Sequence, residues 1–127
     1  MTTSEQYIFK YSEGRELHLL NPTGVFTPTG TTDALVKAAR LYLKKPGKLL
    51  DLGCGNGVAG IAAHQLGFVL EPLFSSDLSQ DAVDVTILNA AKYNCAIEAR
   101  SGSIFEPWKG ECFDYILNDI SGIATRV

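Results

Sequence analysis

Leu49-Leu50-Asp51-Leu52-Gly53-Cys54-Gly55-Asn56-Gly57 decides how this chain is read: an apolar strand runs into an acid and then into glycines at every second position. Glycine lets a backbone turn tightly and leaves room for a ligand lying on the main chain, and the helix that follows aims its free N–H groups at that ligand. The stretch therefore describes a nucleotide-type site. Asp51 narrows it, because a carboxylate just ahead of the glycines suits a ligand with an ammonium group and repels a pyrophosphate. Gly55-Asn56-Gly57-Val58-Ala59-Gly60 also fits the G-x-G-x-x-G dinucleotide fingerprint, with Asp77 downstream as a ribose acid. That pattern requires neither Asp51 nor Gly53, so an NAD site is the lesser alternative. A glycine-rich turn serving strand-to-helix packing alone is the third.

Outward from this turn, the chain alternates strands and helices as parallel βαβ units require. Tyr7 to Tyr11 and Glu16 to Leu20 flank Ser12-Glu13-Gly14-Arg15 and predict an N-terminal hairpin. Pro22, Gly24, Pro28 and Gly30 mark a loop, after which Thr32 and Asp33 open an amphipathic helix through Leu35, Ala39 and Tyr42, stopped by Pro46-Gly47. Lys48 to Leu52 is the first sheet strand. A helix from Val58 to Leu66 ends at Gly67, and a strand from Leu73 to Ser76 ends at Asp77. Ser79 caps a helix through Tyr93 that Asn94 closes, and Ala96 to Arg100 and Phe113 to Asn118 complete the pattern.

The glycine run resembles the first motif of class I S-adenosylmethionine-dependent methyltransferases, whose loop holds the methionyl end of the cofactor. The resemblance implies a Rossmann-like α/β fold, with residues 1–30 as hairpin and lead-in and residues 31–127 as the S-adenosylmethionine-binding domain. It implies that Asp51, Gly53, Cys54, Gly55, Asn56 and Gly57 hold the cofactor, with Asp77 taking both ribose hydroxyls beside Leu78. Asp77 as a helix-capping acid is the structural alternative. In the family a strand-end acid meets the adenine amino group. Here Ser103, followed by Ile104, occupies that place and is equally readable as a turn serine.

At the fourth strand, N-methyltransferases of planar nitrogens carry Asn-Pro-Pro-Tyr, whereas this chain has Asn118-Asp119-Ile120-Ser121. Only the asparagine is shared. The resemblance makes Asn118 an orienting residue that also borders the cofactor, and Asp119 supplies a carboxylate able to take a proton from the methyl acceptor. Both are also ordinary turn residues. The lead-in from Gly24 to Asp33 is similar to the segment that folds over the cofactor in release-factor glutamine methyltransferases, without that group's arginine. The implied activity is methyl transfer to an unidentified protein, RNA or small molecule, with a catalytically inactive methyltransferase-like module as the alternative. The family's sheet continues past its fourth strand, so the missing strands are expected from a longer native chain or from a partner.

Composition bounds the rest. The chain's 127 residues, 46% of them hydrophobic, suffice for one core, and a net charge of −3 without a Lys/Arg run gives no footprint for a polyanion. Cys54, Cys95 and Cys112 are odd in number and widely spaced, which fits reduced thiols and a cytoplasmic location better than disulfides or zinc. No apolar run reaches membrane length. His18 and His64 lack metal-ligand spacing and read as structural or exposed, and Trp108 reads as cover for a core edge more readily than as an adenine shield.

Overall fold

The computed structural model describes residues 5–119. The hairpin is β1 (Gln6–Ser12) and β2 (Arg15–Leu20), antiparallel around Gly14, whose φ of +70° is the left-handed turn conformation that favours glycine. After α1 (Gly30–Tyr42) come β3 (Leu49–Leu52), α2 (Val58–Gln65), β4 (Leu73–Asp77), α3 (Gln80–Lys92), β5 (Ile97–Ser101), a 3-10 turn at Glu106–Trp108, and β6 (Tyr115–Asn118). The four later strands form one parallel sheet in the order β5-β4-β3-β6. The fold is the expected Rossmann-like one.

Alternation along β3 builds two hydrophobic layers, because successive side chains leave a strand on opposite faces. Leu49 joins a core with Ile61, Ala62, Leu73, Ala90 and Leu117, and the hairpin adds Phe9, Tyr11, Leu17 and Leu19 to that same core. Leu50 and Leu52 face the other way, against Trp108, Phe74 and Phe113. Those three rings meet edge to face with centroids 5.4–5.8 Å apart, and the Arg100 guanidinium lies 4.4 Å over the Trp108 ring. Trp108 is therefore core cover. Helix α2 is apolar on nearly every side, and the hairpin, α1 and the sheet together enclose it.

Most predicted boundaries hold to within a residue or two. Ser79 caps α3 by accepting from the Ala82 N–H at 3.2 Å, and Asn94, with φ of +54°, closes it. Helix α1 differs at its start. It begins at Gly30 with Thr29 as its cap, two residues before Thr32, and it stops at Tyr42, where Leu43 turns extended ahead of Pro46. Thr32 is fully buried inside the first turn, so it has a different task, described below. The 3-10 turn carrying Trp108 had no sequence signal. Strand β6 pairs with β3 and borders the sheet among the described residues, with Leu117 buried and Ile116 46% exposed. Ile120 and Ser121 of the compared motif, and the segment where the sheet was expected to remain unfinished, lie outside the described residues.

Candidate functional site

The chain leaves β3 toward β4 on one side, while β6 adds to β3 from the other, so the carboxyl ends of β3, β4 and β6 meet at a topological switch point. Open α/β sheets bind ligands in the crevice this creates. A cavity of about 410 Å3 lies there, walled by the turn after β3, by Ser76, Asp77 and Leu78 after β4, by Gly102 and Ile104, by Asn118 and Asp119, and by Phe26 and Pro28 of the lead-in.

The glycine turn faces this space with its main chain. Gly53 and Gly55 have φ of +76° and +55°, and a β-carbon added to either would meet nothing nearer than 3.9 Å, at Asn118 Oδ1 and at the Phe26 carbonyl respectively. Gly57 is different. It caps α2 with φ of +90°, its β-carbon position lies 3.0 Å from Ile61 and Thr86, and it is not part of the cavity wall. Its requirement for glycine comes from packing and turn geometry. Gly60 is the close-packing glycine between α2 and the sheet: a β-carbon there would lie 2.9 Å from Asp51 Oδ2 and 3.0 Å from Leu73 Cδ2. Gly60→Ala should cost roughly 1–3 kcal/mol of stability through overpacking, read from urea denaturation midpoints at constant m.

Three carboxylates border the cavity, and no Lys or Arg of the described residues does. Asp51 lies within β3, not at its end, and is 1% exposed, with Oδ2 accepting from the Gly60 N–H at 3.0 Å. Burial pushes its pKa up to about 7, opposed by the Gly60 hydrogen bond and reinforced by the charges of Asp119 and Asp77. Asp77 accepts from the Gly55 N–H at Oδ2 and from the Ser79 N–H at Oδ1, both at 2.9 Å. It thus braces the glycine turn and starts α3 while each oxygen keeps a further acceptor position. Asp119 accepts from the Thr31 hydroxyl at 2.7 Å and from the Thr32 hydroxyl, which fastens the start of α1 to the end of β6. Thr31 and Thr32 lie in the lead-in compared with the cofactor-covering segment, but the sequence did not show that they bind Asp119.

Two buried polar atoms on the cavity residues, Ser76 Oγ and Asn56 Nδ2, have no hydrogen-bond partner among the described residues. Both atoms are closed off from the open cavity, Asn56 and Ser76 being 0% and 1% exposed. Ile104, a β-branched residue at φ of +45°, holds an uncommon backbone conformation on the same wall. Leu78 and Ile104 are 76% and 62% exposed, apolar surface left open at the mouth of the cavity. Ser103 is not on the wall: its carbonyl accepts from the Glu106 N–H at 2.8 Å, making it a turn residue ahead of Trp108. Cys54 lines the cavity, and burial together with Asp51 pushes its thiol well above the usual range, favouring the protonated form. Phe26 and Pro28 are wall residues from the compared lead-in, and Ser76 is a wall residue given no binding role in the sequence reading.

His18 pairs with Glu16 and His64 with Glu71, and no group of His, Cys, Asp and Glu among the described residues could hold a metal ion. No described helix is long and apolar enough to cross a membrane.

A parallel sheet with a glycine-turn cavity at its switch point defines a Rossmann-like ligand-binding domain of the methyltransferase type. The chain belongs to the methyltransferase small domain family, which it matches over residues 16–119. It is 32% identical over 117 residues to a ribosomal protein L11 methyltransferase of Staphylococcus saprophyticus, covering 88% of this chain and 36% of that protein. A protein of the same name from Macrococcus caseolyticus is 37% identical over 83 residues, covering 64% of this chain and 25% of the relative. The chain thus spans a quarter to about a third of the length of these curated relatives. Among solved structures, a ribosomal protein L11 methylase from Lactobacillus delbrueckii superimposes with a TM-score of 0.73 at 22% identity, over 88% of this chain and 65% of the other. A 16S rRNA N2 G1207 methyltransferase of T. thermophilus, in complex with AdoMet and guanosine, gives 0.75 at 19% identity, over 91% and 33%. Both likenesses concern the fold.

Proposed function

We propose that this chain binds S-adenosylmethionine in the cavity at the carboxyl ends of β3, β4 and β6, and that it forms part of a methyltransferase acting on a protein or RNA acceptor. The carrying observation is the lining: an open glycine turn among Asp51, Asp77 and Asp119, without a lysine or arginine in the described wall. Such a wall attracts a ligand with ammonium and sulfonium charges and repels the pyrophosphate of NAD. The names of the relatives, which specify a ribosomal protein and a ribosomal RNA as acceptors, support that choice of acceptor class.

In this reading Gly53, Cys54, Gly55 and Asn56 carry the methionyl end, Asp51 faces its ammonium, and Asp77 accepts from the ribose while Leu78 and Ile104 cover the base. When bound, the cofactor supplies an electrophilic methyl group and a thioether leaving group. The chain's own work is to orient the nucleophile and exclude water. In the same reading Asn118 orients the acceptor and Asp119, which Thr31 and Thr32 hold, takes the displaced proton. Three unpaired thiols support a reducing, cytoplasmic location. One observation favours a second reading, a binding module without transfer: of the compared Asn-Pro-Pro-Tyr motif only Asn118 is kept, and Ser103 is not on the cavity wall.

Calorimetric titration with S-adenosylhomocysteine and with NAD tests the cofactor assignment. Binding of the former alone is expected, and equal or tighter binding of NAD would refute it. Incubation with methyl-labelled S-adenosylmethionine and ribosomal particles then separates transferase from module. Asp77→Ala should weaken S-adenosylhomocysteine binding by about 1–3 kcal/mol, since it removes a charged acceptor and frees the Gly55 N–H at once. An unchanged dissociation constant with intact circular dichroism would restrict Asp77 to its capping bond.

A further inference from the structure

Thr86 and Asn89 of α3 stand one turn apart on the same helix face, fully buried, and neither lines the cavity. The Thr86 hydroxyl donates to the Gly55 carbonyl at 2.9 Å, and Asn89 Nδ2 donates to the Asn56 carbonyl at 2.8 Å. Consecutive carbonyls of the glycine turn are therefore drawn toward one helix. A trans peptide is planar with its N–H opposite its carbonyl, so this turns the N–H groups of Asn56 and Gly57 away from α3. Gly57 N–H closes the turn on the Cys54 carbonyl at 2.7 Å.

Asn89 also holds the end of β2. Its Oδ1 accepts from the Leu20 N–H at 2.8 Å, and its Nδ2 donates to the Leu20 carbonyl at 3.0 Å. The lead-in that brings Phe26 and Pro28 to the cavity departs from this end of β2. The amide has one workable orientation, because the flipped form would aim its oxygen at the carbonyls of both Leu20 and Asn56. One buried side chain thereby joins the glycine turn to the end of β2 from which the lead-in departs.

We infer that Thr86 and Asn89 are positioning residues of this site, Thr86 fixing the peptide orientation of the glycine turn and Asn89 coupling that turn to the lead-in segment. The ligand-binding consequence rests on the cofactor reading above, whereas the backbone consequence does not. Hydrogen exchange of the ligand-free 127-residue chain, resolved at single amides, tests the backbone part in Thr86→Val, Thr86→Ser and Asn89→Asp. Thr86→Val keeps the side chain's shape and removes its donor. It should speed exchange at Gly55, Asn56 and Gly57 by roughly tenfold relative to the amides of Leu50 and Phe74, while Thr86→Ser stays near wild type. Asn89→Asp should loosen the amides of the glycine turn and of Leu20 together.

Titration with S-adenosylhomocysteine follows on the same proteins, with about tenfold weaker binding expected for Thr86→Val and rescue by Thr86→Ser. Exchange that rises uniformly, with Leu50 and Phe74 changing as much as the turn, would overturn the inference and leave both residues as general core support. Localised exchange in a wild-type protein that binds no S-adenosylhomocysteine would uphold the positioning role and defeat the cofactor reading instead.

Discussion

Stability should fall as pH rises from about 4 to 7, and Asp51→Asn should remove that part of the fall. Asp51 titrates near 7 in the folded chain because burial penalises its charge, against about 3.9 when unfolded. Below pH ~4 the residue is protonated in both states and contributes no slope. Between those values the folded chain keeps a proton that the unfolded chain has released, so unfolding becomes progressively easier with pH. Above 7 both states are ionised and the full penalty persists, on the order of 4 kcal/mol. Asparagine keeps an acceptor for the Gly60 N–H and cannot ionise. The readout is the difference between the two proteins' stability–pH profiles in urea, because the new amide donors also alter absolute stability. Parallel profiles would show that Asp51 is ionised throughout.

The same group ties ligand affinity to pH with the opposite sign. An ammonium ligand favours the carboxylate form, so S-adenosylhomocysteine should bind more tightly as pH rises toward 7 and level off above it. At pH 6 affinity should be roughly tenfold below the plateau, and Asp51→Asn should flatten the profile at a lower affinity. A strained, destabilised acid in the ligand-free chain is thus the counterpart of a cationic ligand. Asp51→Asn exchanges binding for stability.

How much of this was visible beforehand depended on whether a residue's task is local. The β3 turn, Ser79 and Asn94 announce themselves because turns and caps are made by neighbours in sequence. The hairpin and the alternation of Leu49 and Leu50 are legible for the same reason, since period two is a property of the strand itself. Thr32 misled at the start of α1 because a threonine followed by an acid imitates a cap, while its hydroxyl serves Asp119, 87 residues away. Ser103 fell on the wrong side of its turn because aligning it with a family acid says nothing about the left-handed kink at Ile104. Thr86 and Asn89 were invisible: a polar residue inside a helix shows its function only when the carbonyls it faces are known. Gly57 and Gly60 share a motif with Gly55 yet answer to packing, which the chain separates from ligand access only in three dimensions.

Gly55→Val should abolish S-adenosylhomocysteine binding while the chain stays folded. A valine at φ of +55° is strained by about 1–2 kcal/mol, and its branched side chain extends from a β-carbon position whose nearest neighbour is the Phe26 carbonyl at 3.9 Å. The added methyl groups therefore stand between the glycine turn and the lead-in, in the space proposed for the ligand. Strain alone must be separated from occlusion, and Gly14 provides the comparison. It has φ of +70° in the hairpin turn with nothing within 4 Å of its β-carbon position, far in the chain from the cavity wall. Gly14→Val should lower the urea midpoint by an amount similar to Gly55→Val and leave the dissociation constant unchanged. Gly55→Ala, smaller and unbranched, should bind with intermediate affinity. If both valine variants lost binding equally, backbone strain and not the shape of the cavity would be the cause; if Gly55→Val bound normally, the ligand would not lie on this turn at all.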